Sequence, residues 1–147
     1  MNRTEATDRI LAAKKQKGLT FDAIATAIGR HKVWTASALL GQSTMSREEA
    51  EKTVTLLGLA PDVAAVLREF PTKGSVGQTV PVDPLIYRFH EITQIYGTTL
   101  KAVIHEMFGD GIMSAIDFTL DIQKQEDPKG DRVVVTLNGK FLPYKKW

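Results

Sequence analysis

Apolar residues recur through the first half of the chain at the spacing of short helices. Thr4 to Lys17 places Ile10, Leu11 and Ala13 on a helix that stops at Gly18. Thr20 can cap a second helix, Phe21 to Ile28, in which Phe21, Ile24, Ala25 and Ile28 fall at i, i+3, i+4 and i+7. Gly29 ends it. A third helix fits Val33 to Leu40 and closes at Gly41. Ser46-Arg47-Glu48-Glu49 resembles a capping box before the run Ala50 to Leu57, which stops at Gly58. Pro61 opens a last helix through Phe70, since proline suits the first helical turn. The pattern predicts a five-helix, repressor-like bundle over residues 1–72, with Thr20 to Leu40 spaced as a helix-turn-helix.

Pro71-Thr72-Lys73-Gly74-Ser75-Val76-Gly77-Gln78 is rich in breakers and small polar residues, which places a linker at 73–82. The remainder, 83–147, changes character. Asp83-Pro84 supplies a cap and a first-turn proline for a helix that should run to Tyr96 and stop at Gly97, with Leu85, Phe89, Ile92 and Tyr96 on one face. Thr98 then caps another helix, striped by Leu100, Val103, Ile104 and Met107 and ended by Gly109-Asp110-Gly111. Beyond it the period falls to two: Ile116, Phe118, Leu120 and Ile122 alternate with Asp117, Thr119, Asp121 and Gln123. Asp127-Pro128-Lys129-Gly130 is turn chemistry, Arg132 to Leu137 a second strand, and Asn138-Gly139 a hairpin signal into Lys140-Phe141-Leu142. The fold class is therefore α + (α+β). Two helices and about three strands make a marginal core, because small domains bury a smaller fraction of their surface. The strands are expected to find cover on a second subunit, which makes the chain an obligate oligomer.

Composition narrows the function. Of 147 residues, 43% are hydrophobic and 24% charged, the mix of an ordinary globular protein. No apolar run approaches the roughly 20 residues of a membrane span, and Met1-Asn2-Arg3-Thr4-Glu5-Ala6 lacks the apolar stretch of a secretory signal, so a cytoplasmic protein is expected. The absence of cysteine excludes disulfides, thiolate nucleophiles and Cys-ligated metals. His31, His90 and His105 show no metal-ligand spacing, so no metal is expected. The net charge of +2 is milder than the basic footprint a nucleic-acid binder usually shows, and by itself decides nothing.

Two constellations could carry chemistry. Arg88 and Glu91 stand three apart on one helix and project from the same side. They fit a plain surface ion pair worth about 0–1 kcal/mol, but Tyr87, Phe89 and Ile92 give the pair an unusually apolar setting. Ser114 follows Gly109 and Gly111, which would let the backbone turn tightly and offer a hydroxyl and N–H groups to a small ligand. The same stretch also fits a helix cap followed by a strand. Ser114 has no adjacent histidine and no GxSxG elbow, so it suits hydrogen-bond donation to an anion better than nucleophilic attack.

Asp83-Pro84-Leu85-Ile86-Tyr87-Arg88-Phe89-His90-Glu91, then Tyr96-Gly97, then the run from Phe108-Gly109-Asp110-Gly111 to Ile116-Asp117-Phe118, resemble the signature of the cyanase (cyanate hydratase) family. The closing Gly139-Lys140-Phe141-Leu142-Pro143-Tyr144 fits as well. The resemblance covers essentially the whole chain and puts the family's catalytic arginine, glutamate and serine on Arg88, Glu91 and Ser114. It implies bicarbonate-dependent decomposition of cyanate to ammonia and carbon dioxide, with bicarbonate as co-substrate and no cofactor. It further implies interlocked dimers, five to a decamer, with sites built where chains meet. Two positions depart from the family pattern. His90 stands where tyrosine is usual and Met107 where lysine is usual, which bears on tuning rather than on the reaction.

The rival class is a helix-turn-helix DNA-binding regulator, with Gly29-Arg30-His31-Lys32 near the turn and Val33 to Leu40 as recognition helix. That helix offers Trp34, Thr35, Ala36, Ser37 and Ala38, few of which can read base edges. A third possibility, a pure oligomerisation scaffold, predicts no ammonia release. The expected partners are small anions and further copies of the chain, with neither nucleic acid nor membrane.

Overall fold

The structure, a computed structural model, describes residues 1–73 and 80–147. Most of the expected linker lies outside the described residues. The chain forms two compact units, Met1–Gly74 and Ser75–Trp147.

The first unit holds α1 (Arg3–Gln16), α2 (Phe21–Ile28), α3 (Lys32–Leu39), α4 (Arg47–Leu57) and α5 (Pro61–Leu67). Their ends follow from local chemistry. Thr20 caps α2 by accepting the Ala23 N–H at 3.0 Å, and Gly29 closes it in the left-handed conformation at φ 74°. Ser46 and Glu49 form the reciprocal capping box of α4, and Gly58 terminates that helix at φ 68°. Helix α5 stops three residues short of the expected Phe70. Its final carbonyls are taken by other partners: Arg3 Nη1 donates to the Val66 carbonyl and the Met45 N–H to the Leu67 carbonyl at 2.9 Å. Among the described residues, every buried apolar side chain lies in this unit. Ile10, Ile24, Leu39, Leu57, Val63 and Leu67 are essentially inaccessible to water, and each such side chain contributes about 1.5–3 kcal/mol relative to exposure.

The second unit corrects two expectations. Helix α6 runs unbroken from Pro84 to Phe108, passing through Gly97 where a stop and a fresh cap at Thr98 were expected. A lone glycine costs a helix only about 1 kcal/mol, and no proline accompanies it, so the cap that Thr98 could offer is not taken up. The chain therefore has six helices among the described residues, with one where two were expected. Strand β1 spans Gly111–Gln125 and β2 spans Arg132–Pro143, paired antiparallel. Asn138-Gly139 makes no turn: it lies inside β2, opposite Thr119 and Phe118. At fifteen residues β1 is long enough to give β2 ladder partners on both sides of the pair, so the expected third strand is simply the end of the second. The hairpin turns at Asp127 to Gly130, where Asp127 Oδ1 accepts the Lys129 N–H at 2.9 Å.

Among its described residues this unit buries no apolar side chain. Helix α6 buries none of its 25 residues, although Leu85, Phe89, Ile92, Tyr96, Leu100 and Val103 line it. It meets the hairpin near its own C-terminus, where the Phe108 and Phe141 rings stack with centroids 5.1 Å apart and a His105 ring nitrogen lies 3.2 Å from the Gly111 carbonyl oxygen.

Candidate active site

Arg88 and Glu91 share one side of α6 because three residues nearly complete a helical turn. Arg88 Nη1 donates to Glu91 Oε2 at 2.6 Å, with the two side chains 58% and 40% exposed. The guanidinium also lies over the Tyr87 ring, 5.4 Å from its centroid, and that ring is 5.9 Å from the imidazole of His90. The apolar neighbours noted in the sequence are present, but Phe89 and Ile92 are themselves exposed. Within one chain the pair is consequently a solvated ion pair on an uncovered helix.

Ser114 is placed by a bulge. The strand register passes from Met113 opposite Phe141 to Phe118 opposite Gly139, leaving residues 114–117 of β1 looped out against Lys140. Ser114 Oγ accepts the N–H groups of Ile116 and Asp117, each at 3.0 Å. A hydroxyl has two lone pairs and one proton. With both lone pairs engaged, Ser114 is left to donate, which is what binding an anion requires. The residue is 5% exposed, whereas Ile116 at the bulge tip is 98% exposed.

Gly109 and Gly111 do not make the turn at the serine. Gly109 ends α6 at φ 91°, and Gly111 is already paired with Pro143 in the sheet. The turn belongs to Ser114 itself, which bonds amides two and three residues ahead in the manner of serine-initiated turns. The Ser114-x-x-Asp117 spacing carried that signal. Among the described residues no hydrogen bond or ion pair joins Arg88 or Glu91 to Ser114. Arg88 lies twenty residues before the α6–hairpin junction, about 30 Å along a helix rising 1.5 Å per residue. No group of three or more His, Asp or Glu side chains among the described residues could hold a metal ion, and no described helix is long and apolar enough to cross a membrane.

In the first unit, the cation in the turn between α2 and α3 is already committed. Arg30 Nε pairs with Glu49 Oε1, and its guanidinium lies 5.3 Å from the centre of the Trp34 ring. Its bonds within the bundle weigh against base readout.

Five short helices, then one long helix and a bulged hairpin, define a two-part α + (α+β) protein. The crystal structure of cyanase from T. urticae has a similar fold, with a TM-score of 0.84 and 42% sequence identity over 94% of this chain and 96% of that one. A cyanate hydratase of Synechococcus sp. (strain CC9311) is 64% identical over 96% of this chain and 94% of its own. One from Marinomonas sp. (strain MWYL1) is 54% identical over the full length of both. Residues 3–71 match the family described as Cyanate hydratase, N-terminal, and residues 78–146 the family described as Cyanate lyase C-terminal domain. The chain belongs to the cyanate hydratase family, whose other name, cyanate lyase, marks carbon–nitrogen lyases.

Proposed function

We propose that this protein decomposes cyanate, with bicarbonate as co-substrate, to ammonia and carbon dioxide by way of carbamate. Family membership over both units carries the proposal. The donor-only hydroxyl of Ser114 and the guanidinium of Arg88 supply the chemistry that two small anions need.

Bicarbonate and cyanate are both monoanions, and their repulsion grows as the dielectric falls. A site for both must hold positive charge before they arrive. Arg88 is permanently charged and presents a planar fork of donors, held by Glu91. Ser114 and neighbouring backbone N–H groups receive the second anion and the developing oxyanion. A bicarbonate oxygen attacks the cyanate carbon, and the bicarbonate proton passes to nitrogen, giving a dianion. Breaking its C–O bond to the former bicarbonate carbon releases carbon dioxide, and one proton from solvent completes carbamate. A second proton on nitrogen lets the C–N bond break into ammonia and another carbon dioxide. Holding the two reactants together can supply up to ~7–11 kcal/mol of the barrier, and no covalent intermediate or cofactor enters.

The uncovered apolar side of α6 supports the remainder of the proposal. A second copy covers it, the hairpins interlock, and five dimers form a cytoplasmic decamer with Arg88, Glu91 and Ser114 drawn from more than one chain. Purified protein incubated with cyanate should release ammonia only when bicarbonate is present. Release that is absent, or indifferent to bicarbonate, would overturn the assignment. Arg88→Leu should abolish turnover while the oligomer persists, and a fully active Arg88→Leu protein would refute the role given to Arg88.

A further inference from the structure

Opposite the Ser114 bulge, β2 carries a glycine at a point where no side chain fits. A Cβ on Gly139 would sit 2.6 Å from Met113 Cγ and 3.3 Å from its Sδ, and nearer still to the Ser114 carbonyl oxygen. Real Cβ contacts essentially never fall below 3.0 Å. The Met113 side chain could swing away, but a carbonyl can move only with its backbone. Gly139 is not among the glycines with positive φ, so its backbone angles would admit other residues and the constraint is room alone.

We propose that Gly139 is a positioning residue for Ser114: its missing side chain lets β2 pass against the Ser114 carbonyl and so sets the bulge that orients the serine hydroxyl. The proposal rests on the reading of Ser114 as donor to the reacting anions. The bulge brings the amides of Ile116 and Asp117 onto Ser114 Oγ, and the bulge lies where the ladder skips from Phe141 to Gly139. A methyl group at 139 pushes the 114 carbonyl away, shifts those amides and moves the hydroxyl off its target. Displacements of about 1 Å at a reacting centre can cost about a hundredfold in rate.

The test compares ammonia release by the intact wild-type protein, Ser114→Ala, Gly139→Ala and the double variant, with melting temperature and oligomer mass recorded for each. Gly139→Ala should lower kcat about a hundredfold, with a smaller change in KM and the wild-type mass retained. The double variant should be no slower than Ser114→Ala alone, because a residue acting through the hydroxyl has nothing to act on once it is gone. Losses that multiply, or a wild-type kcat for Gly139→Ala, overturn this proposal alone. A fully active Ser114→Ala protein overturns the reading of Ser114 and this proposal with it. If Gly139→Ala does not fold, Met113→Ala/Gly139→Ala removes the Cγ and Sδ conflicts and isolates the carbonyl. That chain should fold and lose kcat to the same extent relative to Met113→Ala. If it fails to fold, or keeps its kcat, the proposal is overturned.

Discussion

Glu49 is the one charged side chain buried among the described residues, and it ties α4 to the turn between α2 and α3 through Arg30. Burial pushes its carboxyl pKa up, but the Ser46 backbone N–H, the Arg30 guanidinium and the Ser46 hydroxyl outweigh that and hold it below its ordinary value of 4.5. A group whose pKa is depressed by folding stabilises the protein above its unfolded pKa and loses that contribution as pH falls through the folded value. Wild-type stability to urea should therefore fall on acidification from pH about 5 downward. Glu49→Gln should be less stable near neutrality and should show a shallower acid loss. Parallel pH profiles for the two proteins would remove Glu49 from that account. The Arg88–Glu91 contact was legible at this same scale, since residues three apart on a helix meet whatever surrounds them. Gly139 was not, because its meaning depends on a carbonyl 25 positions earlier in the chain.

Among the elements, α6 departs most from its sequence pattern. Its N-terminus obeys local rules, with Asp83 Oδ1 accepting the N–H groups of Leu85 and Ile86, each at 2.9 Å. Its middle overrides Gly97, where a side chain would meet only the Thr93 methyl at 3.9 Å. Continuity across that position can be measured. Gly97→Pro should cost about 3 kcal/mol and reduce helical circular dichroism, since proline removes an N–H and clashes with the preceding turn. Two helices broken at residue 97 would tolerate the change, and unchanged stability would show that the break exists. The hairpin makes the same point for strands. Asn-Gly favours a tight turn only where the chain is free to reverse, and here β1 already supplies Thr119 and Phe118 as partners.

At the scale of the whole molecule, the two units differ in how they satisfy the hydrophobic effect. The first closes around Ile10, Ile24, Leu39, Leu57 and Leu67, whereas α6 leaves its apolar side uncovered. Exposed apolar area of that extent marks an interaction surface. Under the proposed assembly, Ile92→Asp should dissociate the oligomer and abolish turnover, because an unpaired carboxylate is costly to bury. Sedimentation would show a smaller species, and the helical signal of the first unit should remain. An unchanged mass would mean that the face around Ile92 is not where copies meet.

The sequence by itself determined the helical unit nearly residue by residue. Thr20, Ser46, Gly29 and Gly58 act on backbone groups within a few positions, so their effect does not wait for the rest of the fold. It also placed Arg88 and Glu91 on one side of a helix. Only the structure showed that Gly97 lies inside one long helix, where a lone glycine costs about 1 kcal/mol and is outweighed by the helix formers around it. Only tertiary structure decided that Asn138-Gly139 runs straight through a strand and that the serine turn is made by a bulge against β2. Both depend on partners far along the chain, where ladder hydrogen bonds and the room for a side chain outweigh a local preference.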